Sequence, residues 1–192
     1  MSGKRRPSSG APRITIRSAT SPDQVEVARA LFREYREWLV EHREVTAFGD
    51  AILRRGLQYF DREIADLPGD YAPPGGALFV AFEGPTAFGC AALRRQGRGV
   101  AEFKRLYVRA THRGTGMGRR LTRRALERAR RLGYRRVVLD TLPTMVAAIA
   151  TYRKMGFRPT GKYWPHPVKD ALFFEYRLNP TKRARGAVRA HR

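Results

Sequence analysis

The sequence predicts an α+β fold: one domain, with a mixed central sheet of about seven strands and helices on both faces. Three observations predict it. Strand-like and helix-like periodicities follow one another in the order β-α-α-β-β-β-α-β-α-β-β. The three middle strand runs are joined by short glycine-containing links, which favours an antiparallel meander. A long helical crossover then separates the third of them from the next strand, which favours a parallel pairing. A length of 192 residues suits a single domain of this kind, with chain enough to bury a core.

Each element follows from its local pattern. Arg13 to Ala19 alternates Ile14 and Ile16 with polar residues, as a half-buried strand does. Ser21-Pro22-Asp23-Gln24 opens a helix: Ser21 caps, Pro22 sits where its missing N–H costs nothing, and Gln24 completes a capping box. The stripe Ala28, Leu31, Phe32, Tyr35, Leu39 keeps helical spacing to about His42. A second helix starts at Asp50, with Leu53, Leu57, Phe60, Ile64 and Leu67 on one face, and Pro68-Gly69 ends it. Strand-like runs follow at Ala77–Phe82, Phe88–Arg94 and Val100–Val108. A helix runs from about Gly116 to Leu132, its apolar face Leu121, Ala125, Ala129 and Leu132, and Gly133 stops it. Arg136 to Leu142 reads as a buried strand and Met145 to Met155 as a helix that Gly156 caps. Phe157–Lys162 and Ala171–Leu178 close the sheet.

Composition narrows the function classes. Apolar residues make up 42%, too many for a disordered chain. The single cysteine, Cys90, excludes a disulfide framework, and four dispersed histidines support no metal site. No apolar run approaches the roughly 18 residues needed to span a bilayer, and the N-terminus lacks the apolar stretch of a signal peptide. A cytoplasmic domain is expected. The net charge of +22 is unevenly placed: Arg94 to Arg136 holds sixteen basic residues against Glu102 and Glu127. Residues 1–12 and 179–192, rich in Pro, Gly, Ser and Arg, read as disordered basic tails flanking a domain over 13–178. Nucleic acid, acidic membrane and a polyanionic cofactor all fit such a charge.

The most informative segment is Lys104 to Leu121. A strand ends near Val108, a helix begins near Gly116, and Arg113-Gly114-Thr115-Gly116-Met117-Gly118 lies between them. Glycines there let the chain turn tightly and expose successive N–H groups, and the helix N-terminus adds partial positive charge, so a phosphate or pyrophosphate suits the turn. The pattern G-x-x-x-x-G-K-[ST] is absent, and the spacing G-x-G-x-x-G fails because Arg119 or Leu121 stands where its third glycine belongs.

Arg113-x-x-Gly116-x-Gly118 in this setting resembles the acyl-CoA-binding motif of the GCN5-related N-acetyltransferases (GNAT). Leu139-Asp140 on a strand, then Ala148-x-x-x-Tyr152-x-x-x-Gly156-Phe157, resembles that family's later motif, and the likeness covers roughly Arg13 to Leu178. Tyr163 to Arg177 is similar to a bacterial subgroup, which has Asn-Pro-Val where this chain has His166-Pro167-Val168. The family often carries an Asn where Met145 stands. The resemblance implies direct transfer of an acetyl group from acetyl-CoA, as co-substrate, to an amine. It implies that Thr115, Gly116, Met117 and Gly118, with Gly114 in the turn and the Arg113 side chain, cradle the pyrophosphate. Main chain of Leu106, Tyr107 and Val108 would bind pantetheine where the strand diverges from its parallel neighbour, and an amide near Tyr107 or Val108 would polarise the thioester carbonyl.

Tyr152 matches the position of a general acid for the departing thiolate; core packing beside Ala148 and Ile149 is the competing reading. Glu102 is the first candidate for a base, against an ion pair with Lys104 or Arg105. Asp140 interrupts an apolar strand, which suggests either a site or a buried hydrogen-bond partner, and is a weaker candidate. Cys90 reads as packing, and His112 as a surface residue. The segments Glu41 to Asp50 and Tyr163 to Lys169, with Phe48, Tyr163 and Trp164, would bound the acceptor side. Two other readings stay open: an acyl-CoA-binding sensor without catalysis, and a basic nucleic-acid-binding protein. The latter lacks a recognition-helix pattern, and nucleic acid is expected only as a weak electrostatic partner. The protein is expected to be a monomer or homodimer, with no membrane partner.

Overall fold

The computed structural model describes residues 13–41 and 50–179. The tails expected at 1–12 and 179–192 lie outside these residues apart from Asn179, as does the stretch 42–49 with Phe48. The elements are β1 (Ile14–Ser18), α1 (Pro22–Glu41), α2 (Asp50–Asp66), β2 (Ala77–Glu83), β3 (Thr86–Gly97), β4 (Val100–Val108), α3 (Met117–Arg131), β5 (Arg136–Thr141), α4 (Val146–Lys154), β6 (Arg158–Pro159) and β7 (Leu172–Arg177). Their order matches the predicted one.

Local chemistry explains the boundaries. The Gln24 side-chain oxygen accepts from the N–H groups of Thr20 (2.9 Å) and Ser21 (3.2 Å), while Ser21 Oγ accepts from the Gln24 N–H, so the capping box forms. Gly116 is left-handed (φ 79°), so α3 starts one residue later than the sequence suggests. Leu132 ends that helix and Gly133 follows in the left-handed region, as a C-terminal cap requires. The strand expected at Phe157–Lys162 shrinks to two residues, because Pro159 has no N–H to give the ladder.

The sheet runs β1-β2-β3-β4-β5-β7-β6 and is antiparallel except at β4–β5. Strand alternation divides its side chains between two cores. Ala77, Phe79 and Ala81 of β2 pack with Leu121 and Ala125 of α3. Leu78 and Val80 face the other way and pack with Leu31 and Phe32 of α1 and Phe60 of α2. Phe32 meets Phe60 and Tyr71 edge-on, with centroids 6.1 and 6.2 Å away. Burying such a ring stabilises by about 1.5–3 kcal/mol. The side chain of Leu53 lies outside the described ones.

One discontinuity positions everything that follows. The parallel pairing of β4 with β5 lasts only from Val100–Arg136 to Glu102–Val138. Beyond it β4 stays with β3 as far as Val108 opposite Gly89, while β5 continues with β7 as far as Thr141 opposite Leu172. The sheet parts in its middle.

Candidate active site

A cavity of about 1030 Å³ lies along the parting strands. Leu106, Tyr107 and Val108 of β4 line one side of it, Gly114, Gly116 and Gly118 one end, and Tyr152 of α4 another wall. Arg113 and Met117 line it as well. The structure thus brings together most of the residues singled out in sequence; Thr115 and Glu102 are not on the wall.

The β4 side owes its shape to an extra residue. Cys90 opposes Tyr107 but Ala92 opposes Lys104, so β4 carries one more residue than β3 over this stretch. Arg105 within it is left-handed (φ 57°), which costs a side-chain-bearing residue about 1–2 kcal/mol. Its side chain holds it there. The guanidinium donates to both Glu63 oxygens (2.6 and 2.7 Å), lies 3.8 Å from the Phe60 ring centre, and shares Glu63 with the Tyr71 hydroxyl (2.7 Å). Burial alone would raise the Glu63 pKa; Arg105 outweighs it and holds the carboxyl below its ordinary value. Cys90, fully buried, packs beneath with its thiol pushed up by burial.

The glycine turn is braced from within. Thr115 Oγ1 donates to the His112 carbonyl (2.7 Å), and the His112 ring stacks on Phe88 at 3.9 Å and reaches Glu83 at 3.1 Å. His112 is therefore a half-buried brace and not a loose surface residue. The Arg113 side chain folds back: its Nε donates to the Val108 carbonyl (2.9 Å) and its guanidinium lies 4.5 Å from the Trp38 ring centre. An added Cβ would meet nothing within 4 Å at Gly114 or Gly116. The first helical bond runs from the Arg120 N–H to the Gly116 carbonyl (3.1 Å), which leaves the first-turn amides without partners inside the helix.

Glu102 is fully buried. Arg94 Nε donates to it at 2.6 Å, Lys104 Nζ at 3.3 Å and the Tyr163 hydroxyl at 2.8 Å. The carboxylate lies behind the cavity wall, reached through these partners. Of the two ion pairs weighed for it, Lys104 forms and Arg105 does not, because Arg105 is taken up by Glu63 of α2.

Asp140 does reach the cavity. Its Oδ1 accepts from Tyr163 at 3.0 Å and lies 3.6 Å from Lys104 Nζ, and its Oδ2 lies 3.4 Å from His166 Nε2. Burial would raise the Asp140 pKa; the Lys104 ammonium and the His166 contact overcome it and hold the carboxyl well below the usual range. His166 Nδ1 lies 3.0 Å from the Val168 N–H and 3.2 Å from the Val168 carbonyl, which turns Nε2 toward Asp140. One Tyr163 hydroxyl therefore spans two carboxylates, and burial together with both negative charges pushes its pKa far up.

Tyr152 is 6% exposed and packs against Phe103 and Phe157, so the packing reading holds for its ring. Its hydroxyl makes no hydrogen bond among the described residues, and burial pushes the phenol well above its ordinary value. It is protonated across the physiological range, as a donor must be.

Sequence reasoning missed Tyr35 and Trp38 on α1, which line the cavity opposite β4, Tyr35 stacking on Tyr107 at 5.4 Å. No local signal marks them, since their partners lie some seventy residues away. It also gave Tyr163 and His166 no chemistry. An Asp on a buried strand that needs a donor was the available signal, but its partner arrives from a loop with no periodicity. Among the described residues no group of three or more His, Cys, Asp or Glu could hold a metal ion, and no helix is long and apolar enough to cross a membrane.

Comparison with known proteins agrees with this geometry. Residues 39–157 match the sequence profile of a family described as acetyltransferase (GNAT) family. A Schizosaccharomyces pombe protein named as an uncharacterized N-acetyltransferase is 32% identical over 168 residues, covering 86% of this chain and 96% of that one. An IAA acetyltransferase from Azospirillum brasilense is 38% identical over 140 residues, covering 66% and 90%. Among solved structures, a PaiA N-acetyltransferase from Thermoplasma acidophilum in complex with coenzyme A superposes with a TM-score of 0.66 at 16% identity, covering 86% of this chain and 99% of that one. An acetyltransferase from Streptococcus agalactiae gives 0.68 at 19% identity, covering 86% and 98%.

Proposed function

The chain belongs to the GNAT acetyltransferase family, and on that premise we propose that it moves an acetyl group from acetyl-CoA to a primary amine of a small molecule or peptide by direct transfer. The observation that carries the reading is the parting of β4 from β5, which sets β4 main chain, the glycine turn and Tyr152 around one cavity. Solved relatives described as complexes with coenzyme A or acetyl-CoA share the fold. The residues present fit that group: unpartnered first-turn amides and Cβ-free glycines suit a pyrophosphate.

In this reading the N–H groups of Thr115, Gly116, Met117 and Gly118 hold the pyrophosphate, Gly114 sets the turn, and Arg113 adds charge through its free guanidinium nitrogens. Leu106, Tyr107 and Val108 offer main-chain groups that β5 does not occupy, so pantetheine lies along them like a short added strand. An amide at Tyr107 or Val108 meets the thioester oxygen and stabilises the charge that develops there. The group supplies an activated acyl carbon; a C–N bond forms as the C–S bond breaks. Tyr152 donates to the departing sulfur. Asp140, on the wall, receives the amine's proton and gives it up to the Tyr163 oxygen as that hydroxyl's own proton passes to Glu102, so that Asp140 and Tyr163 end as they began and the proton rests on Glu102. Lys104 keeps the local potential positive, which favours the neutral amine over its ammonium form.

We assign the catalytic domain to residues 13–178, in the cytoplasm where acetyl-CoA is available, and as a monomer or homodimer. The single sheet from β1 to β7 supports the domain limits. Thiol release on incubation with acetyl-CoA and a panel of small amines, antibiotics and peptides tests the reading. Release with at least one amine is expected, and calorimetry should show coenzyme A binding. Binding without release to any acceptor would leave only an acyl-CoA sensor; absence of both overturns the proposal.

A further inference from the structure

At the far end of α3 from the glycine turn lies a second, smaller cavity of about 210 Å³. Arg124, Arg128 and Arg131, at steps of four and three and so on one helix face, line it together with Ser18 and Thr20 of the β1–α1 junction and Gly76. At 1.5 Å per residue, Arg124 to Arg131 stand roughly 10–20 Å along the helix from Met117, well beyond the turn assigned to the pyrophosphate.

Three arginines line this space and no Asp or Glu does. Arg124 Nε is buried without a hydrogen-bond partner, and its nearest acid, Glu127, approaches a terminal nitrogen only to 3.8 Å. The side chains of Arg128 and Arg131 form no ion pair or hydrogen bond among the described residues. Sequence supplies no missing acid from the tails: residues 1–12 and 180–192 carry eight basic side chains and no Asp or Glu. Arginines in the last turn of a helix complement its carbonyl end, and Arg130 already does so from another face. That accounts for neither Arg124, which lies earlier, nor its orphaned N–H, since a buried donor without an acceptor is costly.

We propose that this pocket binds a phosphoryl oxyanion, as free phosphate or as a small phosphomonoester. The planar guanidinium fork matches the spacing of two phosphoryl oxygens, Arg124 Nε gains its acceptor, and the three like charges gain a counter-ion. The Ser18 hydroxyl adds a neutral donor, while Ala19, Leu78 and Phe79 wall the other side.

Equilibrium dialysis of the full chain against radiolabelled phosphate, with and without saturating coenzyme A, tests it. One phosphate per chain should remain bound in the presence of coenzyme A. The double variant R124Q/R128Q should lose about tenfold or more in phosphate affinity, as expected for charge-assisted bonds, while its coenzyme A affinity is unchanged. The single variant R128Q, at a half-exposed position, should give a partial loss and guards against a folding defect in the double. Repeating the measurement with ribose 5-phosphate separates the sources: tighter binding assigns a phosphomonoester, equal or weaker binding the free ion. Three results overturn the proposal: no saturable binding of either anion, phosphate fully displaced by coenzyme A, or binding that survives the double variant.

Discussion

Arg105 shows how one residue is held against its own preference. Its left-handed backbone suits glycine or asparagine, and the bidentate bond to Glu63 keeps an arginine there. Because the pair is largely buried, removing one partner leaves an uncompensated charge, and E63Q should destabilise the protein by about 3–5 kcal/mol at pH 7. The sign with pH follows from the lowered Glu63 value. Its contribution is complete above the unfolded carboxylate value and fades as pH falls through the lower folded one. Urea titrations at pH 7 and at stepwise lower pH should show wild type and variant converging; a constant gap would refute the linkage. Tyr152 carries a different expectation. Loss of a positioned proton donor lowers rate by about 100-fold or more, so Y152F should reduce kcat to that extent with the KM for acetyl-CoA and the melting temperature unchanged. Full turnover in a folded Y152F removes the acid role. The place of Tyr152 on the cavity wall was expected from the family resemblance of Tyr152-x-x-x-Gly156-Phe157. The link from Glu102 to Asp140 was not, because Tyr163 joins them from a position 61 residues from one and 23 from the other.

The turn before α3 separates two duties that glycine performs. Gly116 has φ 79° and no protein atom within reach of an added methyl, so G116A should cost about 1–2 kcal/mol of stability through backbone strain. Gly118 has no such φ, and a Cβ there would touch Leu106 Cδ2 at an ordinary 3.8 Å. G118V should therefore fold, but it covers the first-turn amides and should weaken coenzyme A binding by at least about tenfold, or about 1.4 kcal/mol. Calorimetry and denaturation on both variants read the two effects separately; a G118V protein that binds normally removes the cradle assignment. The helices and most strands were legible because capping box, glycine stop and apolar stripe are all local. The extra residue in β4 was not. Nothing in Lys104-Arg105-Leu106 marks a departure from strand geometry, since the cause, Glu63, lies on α2.

Across the whole molecule, cofactor affinity should appear as stability. A ligand at a hundred times its Kd adds about 2.7 kcal/mol to the folded state, which for a chain of this size raises Tm by about 5–10 °C. A thermal scan with coenzyme A reads it, and no shift would contradict the cavity's assignment. The fold class was legible at this scale from the order of periodicities and the long β4–β5 crossover. How the charge is used was not: Arg94, Arg105 and Arg109 are taken up by Glu102, Glu63 and Glu34, tying the β4 region to both first helices, while the side chains of Arg128 and Arg131 on α3 form no ion pair among the described residues. The parted strands also give the sheet two inner edges, β4 from Phe103 and β5 from Leu139, besides the outer pair at β1 and β6. Exposed edges are templates for unwanted strand addition. In the proposed binding mode pantetheine along β4 would occupy one of them, so the co-substrate would double as a guard against self-association. Stocks stripped of coenzyme A should scatter more light on warming than loaded ones, and storage life becomes a readout of occupancy.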